Sequence, residues 1–298
     1  MPFAFTTNGH HVVRAVLRGD ESKRVMCTSD EVAFVATQVT APRRTRNLDF
    51  VLSLPRHELA FHGPSGIDGV LEMLVKPVGL TNGKTWWQST GTFIELGSGD
   101  GMGSVCTLFR DDLGWDGVMV DGDHAGTAEA PVVRKWLTPD NVVRVLSKAS
   151  APQVPDVMVI DLDLATFAVW HALLASGQYQ ASYVVVAVNS YYPADSVTVG
   201  YEASARWDGS TYFGMSPRAA QTLASKHGYT LVYCESHGMF CVFARSSILQ
   251  ALDSTNARIL AARPGGLMSV DVLQRQPNWF GSGTGAAHAT SREWQAVQ

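Results

Sequence analysis

The sequence has few charged residues and no marked excess of one sign. Charged residues make up 17% of the 298 positions, and 23 lysines and arginines nearly balance 27 aspartates and glutamates. Proteins that bind nucleic acid through its phosphates usually carry a basic excess. A local basic group at Arg43, Arg44 and Arg46 is interpreted as a solvated loop. The sequence therefore indicates no nucleic-acid site.

Cysteine pairs with metal-binding spacing are also missing. The four cysteines stand apart at positions 27, 106, 234 and 241, with no Cys-x-x-Cys pair, and we predict no metal site. Cys234 and Cys241 could face each other across a hairpin, although this spacing alone predicts no disulfide. We expect buried thiols and a reducing, intracellular compartment.

Long apolar runs are absent as well. None reaches the roughly 18 residues that a membrane-spanning helix needs, and no secretory segment follows Met1. We therefore expect no membrane span. The first 19 residues contain Arg14 and Arg18 and no acid, which is similar to an organellar transit peptide. The cytoplasm and the mitochondrion are both open as compartments.

From Thr92 onward, short apolar runs alternate with helix-like segments. Strands are predicted at 93–95, 117–121, 142–146, 156–161, 183–188, 230–234 and 239–244. Helices are predicted at 103–113, 124–137, 164–176 and 216–227. The alternation is typical of a parallel sheet with helices on both faces, and the last two strands are close enough to pair antiparallel. We predict an α/β fold with a doubly wound, mostly parallel, seven-stranded sheet that ends in an antiparallel hairpin.

Three regions are expected along the chain. Residues 1–90 form an N-terminal extension that packs on the core, with a small strand pair and a short helix at 67–75. Residues 91–248 form the α/β domain, and residues 249–298 form a C-terminal helix and an irregular tail. A tail rich in Gly, Ala, Ser and Thr is ordered only where something covers it. We therefore predict that the two extensions contact a protein assembly.

The first predicted strand of this domain ends in an acid and runs into a glycine-rich turn. Glu95 is followed by Gly97, Ser98, Gly99 and Gly101. Glycines let the backbone approach a ligand closely, and the helix predicted next offers free N–H groups at its start. These five residues are therefore candidate cofactor-binding residues.

The spacing of the glycines separates two kinds of nucleotide. A dinucleotide-binding loop needs Gly-x-Gly-x-x-Gly, but the sixth position is Met102 counted from Gly97 and Ser104 counted from Gly99. The acid-x-Gly-x-Gly-x-Gly series instead resembles the loop of enzymes that bind S-adenosylmethionine (SAM). An acid at Glu95 also suits the cationic methionine part of SAM better than it suits a pyrophosphate.

Asp121 ends the next predicted strand, 20 residues after Gly101. A carboxylate at this position can accept hydrogen bonds from both hydroxyls of a ribose. Gly122 and Asp123 follow it and belong to the predicted cofactor site, with Asp123 as a competing ribose ligand. The alternative is that Asp121 caps the helical segment predicted from His124.

Six stretches between Thr92 and Ile248 carry a more specific pattern. They are Phe-Ile-Glu-Leu-Gly at 93–97, Gly-Trp-Asp-Gly at 114–117, Val-Asp-Gly-Asp at 120–123, Pro-Asp-Val-Met-Val-Ile-Asp-Leu-Asp at 155–163, Tyr-Phe-Gly-Met-Ser at 212–216 and Lys-His-Gly-Tyr-Thr-Leu-Val at 226–232. On these stretches the chain resembles the FkbM-like proteins with a methyltransferase fold. The resemblance implies the fold of a class I SAM-dependent methyltransferase, with SAM as the cofactor.

The chain departs from this family at the ends of two strands. After Asp163 the family usually continues with a Gly-Asn-Asp type turn, whereas this chain has Leu164, Ala165 and Thr166. After the next strand the family usually has an acid, a polar residue and Asn, of which only Asn189 is kept. Ligands of open α/β sheets bind outside the carboxyl ends of the strands. The cofactor loop is therefore kept, while the reaction pocket has lost polar groups.

Asp161, Asp163 and Asn189 are the candidate catalytic residues. Methyl transfer from a sulfonium mainly requires alignment of the acceptor, and a base is needed only where the acceptor must lose a proton. Asp161 and Asp163 flank the pocket edge, where each could raise the pKa of the other, or where the two could hold a divalent ion with a catechol-like acceptor. The alternative is that Asp161 supports the cofactor loop and Asp163 caps the following helix. Asn189, with Tyr191 and Tyr192, could contact an acceptor, whereas the alternative for the segment 191–193 is packing and a turn.

Two functions are compatible with these features. The first is a SAM-dependent methyltransferase of unknown acceptor, which the intact loop favours. The second is a catalytically reduced, methyltransferase-like structural subunit of a larger assembly, for which a mitochondrial location is one option. The apolar strand ends favour the second function, because a fold can be kept after its chemistry is lost.

Overall fold

The computed structural model of the protein describes residues 26–29, 32–35, 54–79, 90–192, 195–203, 205–248 and 293–298. The predicted C-terminal helix, most of the tail, the basic group and the arginines near the N-terminus lie outside these residues. The chain divides into two compact units, Met1–Thr45 and Arg46–Gln298. In the first unit, β1 (Met26–Ser29) pairs antiparallel with β2 (Val32–Val35), which confirms the predicted small strand pair.

The second unit is built on a seven-stranded sheet. Its strands are β3 (Thr92–Leu96), β4 (Asp116–Asp121), β5 (Val133–Arg134), β6 (Val157–Ile160), β7 (Tyr183–Ala187), β9 (Tyr229–Cys234) and β10 (Phe240–Arg245). They lie in the order β5-β4-β3-β6-β7-β10-β9, in which β3 to β7 are parallel and β10 runs antiparallel to both neighbours. This topology confirms the predicted α/β fold, with its mostly parallel seven-stranded sheet and its antiparallel hairpin. Two further strands, β8 (Val197–Val199) and β11 (Trp294–Ala296), form a separate antiparallel ribbon.

Helices cover both faces of the sheet. They are α1 (Ile67–Gly79), α2 (Val142–Lys148), α3 (Thr166–Ser176) and α4 (Pro217–Lys226). The last three share one apolar core with strand residues such as Ile94 and Val186, and α1 shares the other core with Phe93 and Val185. Because both faces are covered, β6 and β7 are apolar along almost their whole length. None of the helices in the described residues is long and apolar enough to cross a membrane.

The segment Val142–Lys148 is a helix and not the strand that its valines predicted. Its buried residues Val142, Val145 and Leu146 are three and four positions apart, which places them on one face of a helix. That face packs into the core that α3 also enters. The prediction was wrong because burial against the sheet outweighs the small intrinsic preference of valine for strands.

The helix predicted at 124–137 is also wrong, because this segment is a loop followed by β5. Gly126 has a φ of 68°, and a Cβ there would lie 2.0 Å from the carbonyl oxygen of Ala130. The chain therefore turns back on itself, and Pro131 lacks the amide hydrogen that a helix interior would need. The helix predicted at 103–113 is reduced to a π-helical turn, Leu108–Asp112.

Cys234 and Cys241 form a disulfide across the β9–β10 hairpin, with an S–S distance of 1.94 Å. The two residues are directly opposite each other in the antiparallel register. Cys106 is a buried free thiol. The expectation of unpaired thiols is therefore wrong for the hairpin pair, and the reducing compartment that it implied stays a prediction.

Within the second unit, the ribbon joins the C-terminal strand β11 to β8. The indole of Trp294 contacts Tyr192 and Tyr212, with ring centroids 4.2 and 5.1 Å away. Trp294 and Val199 belong to a small apolar cluster with Leu164, which comes shortly after β6. The ribbon therefore lies close to the carboxyl edge of the sheet.

Candidate functional site

The carboxyl ends of β3, β4 and β6 meet at the glycine-rich turn. The amides of Gly97 and Ser98 donate to the carbonyl oxygen of Val120, with N···O distances of 2.8 and 3.4 Å. Gly97 has a φ of 87°, and a Cβ there would lie 1.7 Å from the carbonyl oxygen of Asp161. Only glycine fits at this position, and the turn can therefore pass directly between the two neighbouring strands.

Gly99 lies on the open side of the turn. Its φ is 59°, and no atom lies within 4 Å of the position that a Cβ would take. The hydroxyl of the neighbouring Ser98 is buried, and no described residue forms a hydrogen bond with it. Buried hydroxyls are normally paired. An open backbone beside an unpaired hydroxyl is an arrangement that a polar ligand can complete.

Glu95 holds the turn from within the fold. Its carboxylate accepts hydrogen bonds from Ser104 Oγ at 2.7 Å and from the amides of Val105 and Cys106 at 3.1 Å each. Burial raises the pKa of Glu95 to about 7, although these hydrogen bonds oppose the rise. Glu95 therefore organises the backbone of the loop, and its direct contact with a cofactor stays a prediction.

Asp121 is bound to the same turn. Its Oδ2 accepts from the amide of Gly99 at 2.9 Å, and its Oδ1 accepts from the amides of Asp123 and His124 at 2.8 and 3.0 Å. Burial alone would raise the pKa of Asp121, but hydrogen bonds from Asp123, His124 and Gly99 hold it below its ordinary value. Asp121 is therefore ionised at neutral pH. The alternative prediction, that Asp121 caps a helix beginning at His124, is wrong, because Asp121 caps a turn there. The Asp123 side chain is exposed.

Gly122 lies against an aromatic ring that sequence analysis did not connect with it. A Cβ at Gly122 would lie 2.2 Å from Cε3 of Trp136. The guanidinium carbon of Arg206 lies 3.2 Å from the centroid of the same ring, which is cation–π geometry. Trp136 therefore lies against Gly122, the residue after Asp121, and Arg206 stacks on its ring. No local spacing could have indicated this contact, because positions 122, 136 and 206 belong to separate segments.

Asp161 and Asp163 follow β6 at the same edge of the sheet. The amide of Asp161 donates to the carbonyl oxygen of Leu96 at 2.8 Å, which places Asp161 beside the glycine-rich turn. Burial, followed by the negative charges of Asp163 and Glu95, raises the pKa of Asp161 to about 7. Within the described part of the chain, neither aspartate carboxylate accepts a hydrogen bond. Asp161 is therefore an unpaired acid that changes protonation near neutral pH.

Asp163 has a different environment from Asp161. It is exposed and adopts a left-handed φ of 48°, a conformation that is strained for a residue other than glycine. Desolvation and the charge of Asp121 raise its pKa. Helix α3 has Ala165 as its N-cap, with no side-chain capping hydrogen bond, so the alternative that Asp163 caps this helix is wrong.

Asn189 is fully buried at the end of β7. Its Nδ2 donates to the carbonyl oxygens of Thr211 and Phe213 at 2.8 and 3.1 Å, and its Oδ1 accepts from the amide of Tyr191 at 3.1 Å. Both amide hydrogens are therefore used within the fold. Asn189 therefore holds the loop at 211–213, and its catalytic role stays a prediction.

The site is strongly acidic. Four carboxyl groups lie around the turn, those of Glu95, Asp121, Asp161 and Asp163. The guanidinium of Arg110 donates to the carbonyl oxygen of Gly101 at 2.7 Å and to the carboxylate of Asp111 at 2.6 and 2.9 Å. Its charge is thus already balanced by Asp111. A site with this balance favours a cationic ligand over a pyrophosphate.

Comparisons with known proteins give distant structural similarity only. No family model matches the chain, and no curated protein sequence matches it. The alignment with the structure of TnmH covers 60% of this chain and 57% of the TnmH chain, at 14% identity and a TM-score of 0.30. The O-methyltransferase NcsB1 from neocarzinostatin biosynthesis, solved with SAM and 2-hydroxy-5-methyl naphthoic acid, has the same coverage and identity and a TM-score of 0.29. LaPhzM is 13% identical over the same shares, with a TM-score of 0.29. The chain thus spans less than two thirds of the length of these proteins.

Proposed function

We propose that the protein binds SAM at the glycine-rich turn and transfers its methyl group to a small acceptor. The observation that carries the proposal is the open, positive-φ backbone at Gly99, which lies among four carboxyl groups, while the nearby Arg110 guanidinium is already paired with Asp111. SAM carries a sulfonium, an ammonium and a carboxylate group and is positively charged overall, whereas the pyrophosphate of a dinucleotide carries two negative charges. The charge of the site therefore supports SAM.

The residues present fit this cofactor. Ser98 offers its unpaired hydroxyl and Gly99 its accessible backbone, while the ionised Asp121 accepts from ribose hydroxyls once it exchanges its present donors. Trp136 supplies an aromatic wall beside Gly122. When bound, SAM supplies a methyl group that its sulfonium already activates.

Asp161 is the proposed proton acceptor. A general base works best when its pKa lies near the working pH, and the pKa of Asp161 is raised to about 7. Its carboxylate is unpaired within the described residues, so it is free to take the proton of an acceptor hydroxyl. Asp163 contributes through its negative charge, which helps to raise the pKa of Asp161.

Exchange of Gly99 for alanine tests the cofactor site. A Cβ at Gly99 projects into the space assigned to SAM, and we expect Gly99→Ala to weaken SAM binding about tenfold or more in calorimetry. Gly177→Ala is the matched control, because Gly177 has a φ of 63° and equally open surroundings at the end of α3. Each substitution places a side chain in the left-handed region, at a cost of about 1 kcal/mol.

The comparison separates a ligand effect from a strain effect. Both variants should lose similar stability in thermal unfolding, and only Gly99→Ala should lose affinity for SAM. Equal affinity in Gly99→Ala and the wild type would count against the proposed site. Absence of any SAM binding to the wild type at millimolar ligand would remove the proposed function.

A second candidate function is a catalytically reduced subunit in a larger protein assembly. It is favoured by the end of β7, where Val188 is apolar and buried and both amide hydrogens of Asn189 are used within the fold. An enzyme should convert SAM to S-adenosylhomocysteine with host metabolites, and Asp161→Asn should slow this conversion. A structural subunit should show no turnover and should purify from its host with partner proteins. Membership of the FkbM-like family, assembly contacts and a mitochondrial location are parts of this proposal.

A further inference from the structure

A cavity of about 310 Å³ lies between α3 and the β8–β11 ribbon. One wall is the outward face of α3, where Phe167, Ala168 and Ala172 succeed one another at helical spacing. The opposite wall contains Tyr201, and Gln295 from the C-terminal strand. The cavity is therefore built by segments that are far apart in the chain.

The ribbon wall is held in place by several contacts. Gln295 is paired with Thr198 across the ribbon, and the Thr198 hydroxyl donates to the carbonyl oxygen of Gly214 at 3.0 Å. Ser196 Oγ donates to the carbonyl oxygen of Val297 at 2.7 Å. Because these bonds fix both strands of the ribbon, the wall has a defined position against α3.

The chemistry of the walls restricts what the cavity can hold. Among the described residues no Asp, Glu, Lys or Arg lines it, and its polar groups include Gln295 and His171. A cavity of this volume is in the range of small-molecule sites. The rings of Phe167 and Tyr201 with the small alanines of α3 suit a flat apolar body.

The cavity also adjoins the acidic edge of the sheet. Leu164 lines it and follows directly on Asp163, in the turn Asp163–Ala165 that connects β6 with α3. A molecule seated in the cavity therefore has one end close to the segment that carries Asp161 and Asp163.

We propose that this cavity binds the ring of a small, uncharged aromatic alcohol, and that such a compound is the acceptor class of the site. The assignment as acceptor rests on the proposed methyltransferase function. The binding of an uncharged aromatic ring rests only on the cavity itself.

Titration with 1-naphthol, used as a probe, tests the cavity in the full-length chain. We expect saturable binding by calorimetry, and we expect Ala168→Leu to weaken it about tenfold or more, because the added atoms occupy the cavity. Ala175→Leu is a second filling variant at an exposed position of α3 that also lines the cavity, so it is expected to fold. Ala60→Leu, at an exposed position that does not line the cavity, is the control and should bind like the wild type.

Each outcome decides the proposal. Absence of saturable 1-naphthol binding, or equal binding in the wild type and both folded α3 variants, would overturn it. SAM titration of the same samples separates the two inferences. Loss of SAM binding in the wild type with 1-naphthol binding kept would reject the cofactor assignment alone, whereas the reverse result would reject the cavity alone.

Discussion

Two aspartates at one edge of the sheet have opposite titration behaviour because of their partners. Asp121 accepts several hydrogen bonds from the backbone, and its pKa is lowered. Asp161 is partly buried near other negative charges without such bonds, and its pKa is raised to about 7. Neighbouring acids whose pKa values are driven apart are typical of sites in which one stays charged and the other exchanges a proton.

The raised pKa of Asp161 predicts a stability change in Asp161→Asn. The carboxyl has an ordinary pKa of 3.8 in the unfolded chain and about 7 in the fold, so its ionisation opposes folding. This destabilisation is absent below about pH 4, grows as the pH rises towards 7 and is constant above that. We expect the free energy of unfolding of Asp161→Asn to exceed that of the wild type by about 1 to 3 kcal/mol at pH 8. This range is less than the full shift implies, because the side chain is partly exposed.

Urea unfolding at pH 8 and at pH 4 measures this difference. The gain should shrink towards zero at pH 4, where both side chains are uncharged. Asp116→Asn, at an exposed position on the opposite end of β4, is the control and should show no gain of this size. A wild type that is as stable as Asp161→Asn at pH 8 would contradict the buried, raised-pKa carboxyl.

At the scale of elements, the glycine-rich turn is positioned by two strands and by one side chain behind it. The turn hydrogen-bonds to the end of β4, passes over the end of β6 and is held by Glu95 from β3. Such a turn is rigid before a ligand arrives, which reduces the entropy lost on binding. The β8–β11 ribbon has the corresponding role for the cavity beside α3.

Removal of the Trp294 indole should loosen the ribbon. Trp294 contacts Tyr192 and Tyr212, and β11 has β8 as its strand partner. We expect Trp294→Ala to lower the free energy of unfolding by about 1 to 3 kcal/mol through lost aromatic contacts. Trp294→Phe should recover much of this, because a ring remains. Hydrogen exchange of residues 197–199 would show the loosening, and unchanged exchange in Trp294→Ala would contradict the packing described for β11.

At the scale of the whole molecule, SAM binding should stabilise the second compact unit. A ligand at 100 times its dissociation constant adds about 2.7 kcal/mol to the stability of the folded state. For a unit of this size we expect the unfolding temperature to rise by about 5 °C or more with saturating SAM. Differential scanning calorimetry makes the measurement, with NADH at the same concentration as the comparison. A rise with NADH and none with SAM would contradict the charge argument for the site.

The sequence by itself determined six of the seven strands of the sheet, the hairpin and the glycine-rich turn, whereas β5 lies in a segment predicted as a helix. Gly97 and Gly99 adopt positive φ values that any other residue would resist, and β6 and β7 are apolar because both of their faces are covered. These features depend on residues that are adjacent in the chain, so spacing and composition predict them. The same reasoning placed Asp121 and Asp161 at the carboxyl edge of the sheet.

Only the tertiary structure decided which side chains face a ligand and which serve the fold. Asn189 is used by the loop at 211–213, Cys234 is bonded to Cys241, and Val142–Lys148 became a helix because the core accepts its apolar face. The pKa of Asp161 likewise depends on burial and on the charges of Asp163 and Glu95. The physical reason is the same in each case: hydrogen bonds, desolvation and packing are set by segments that are distant in sequence, and no local pattern records them.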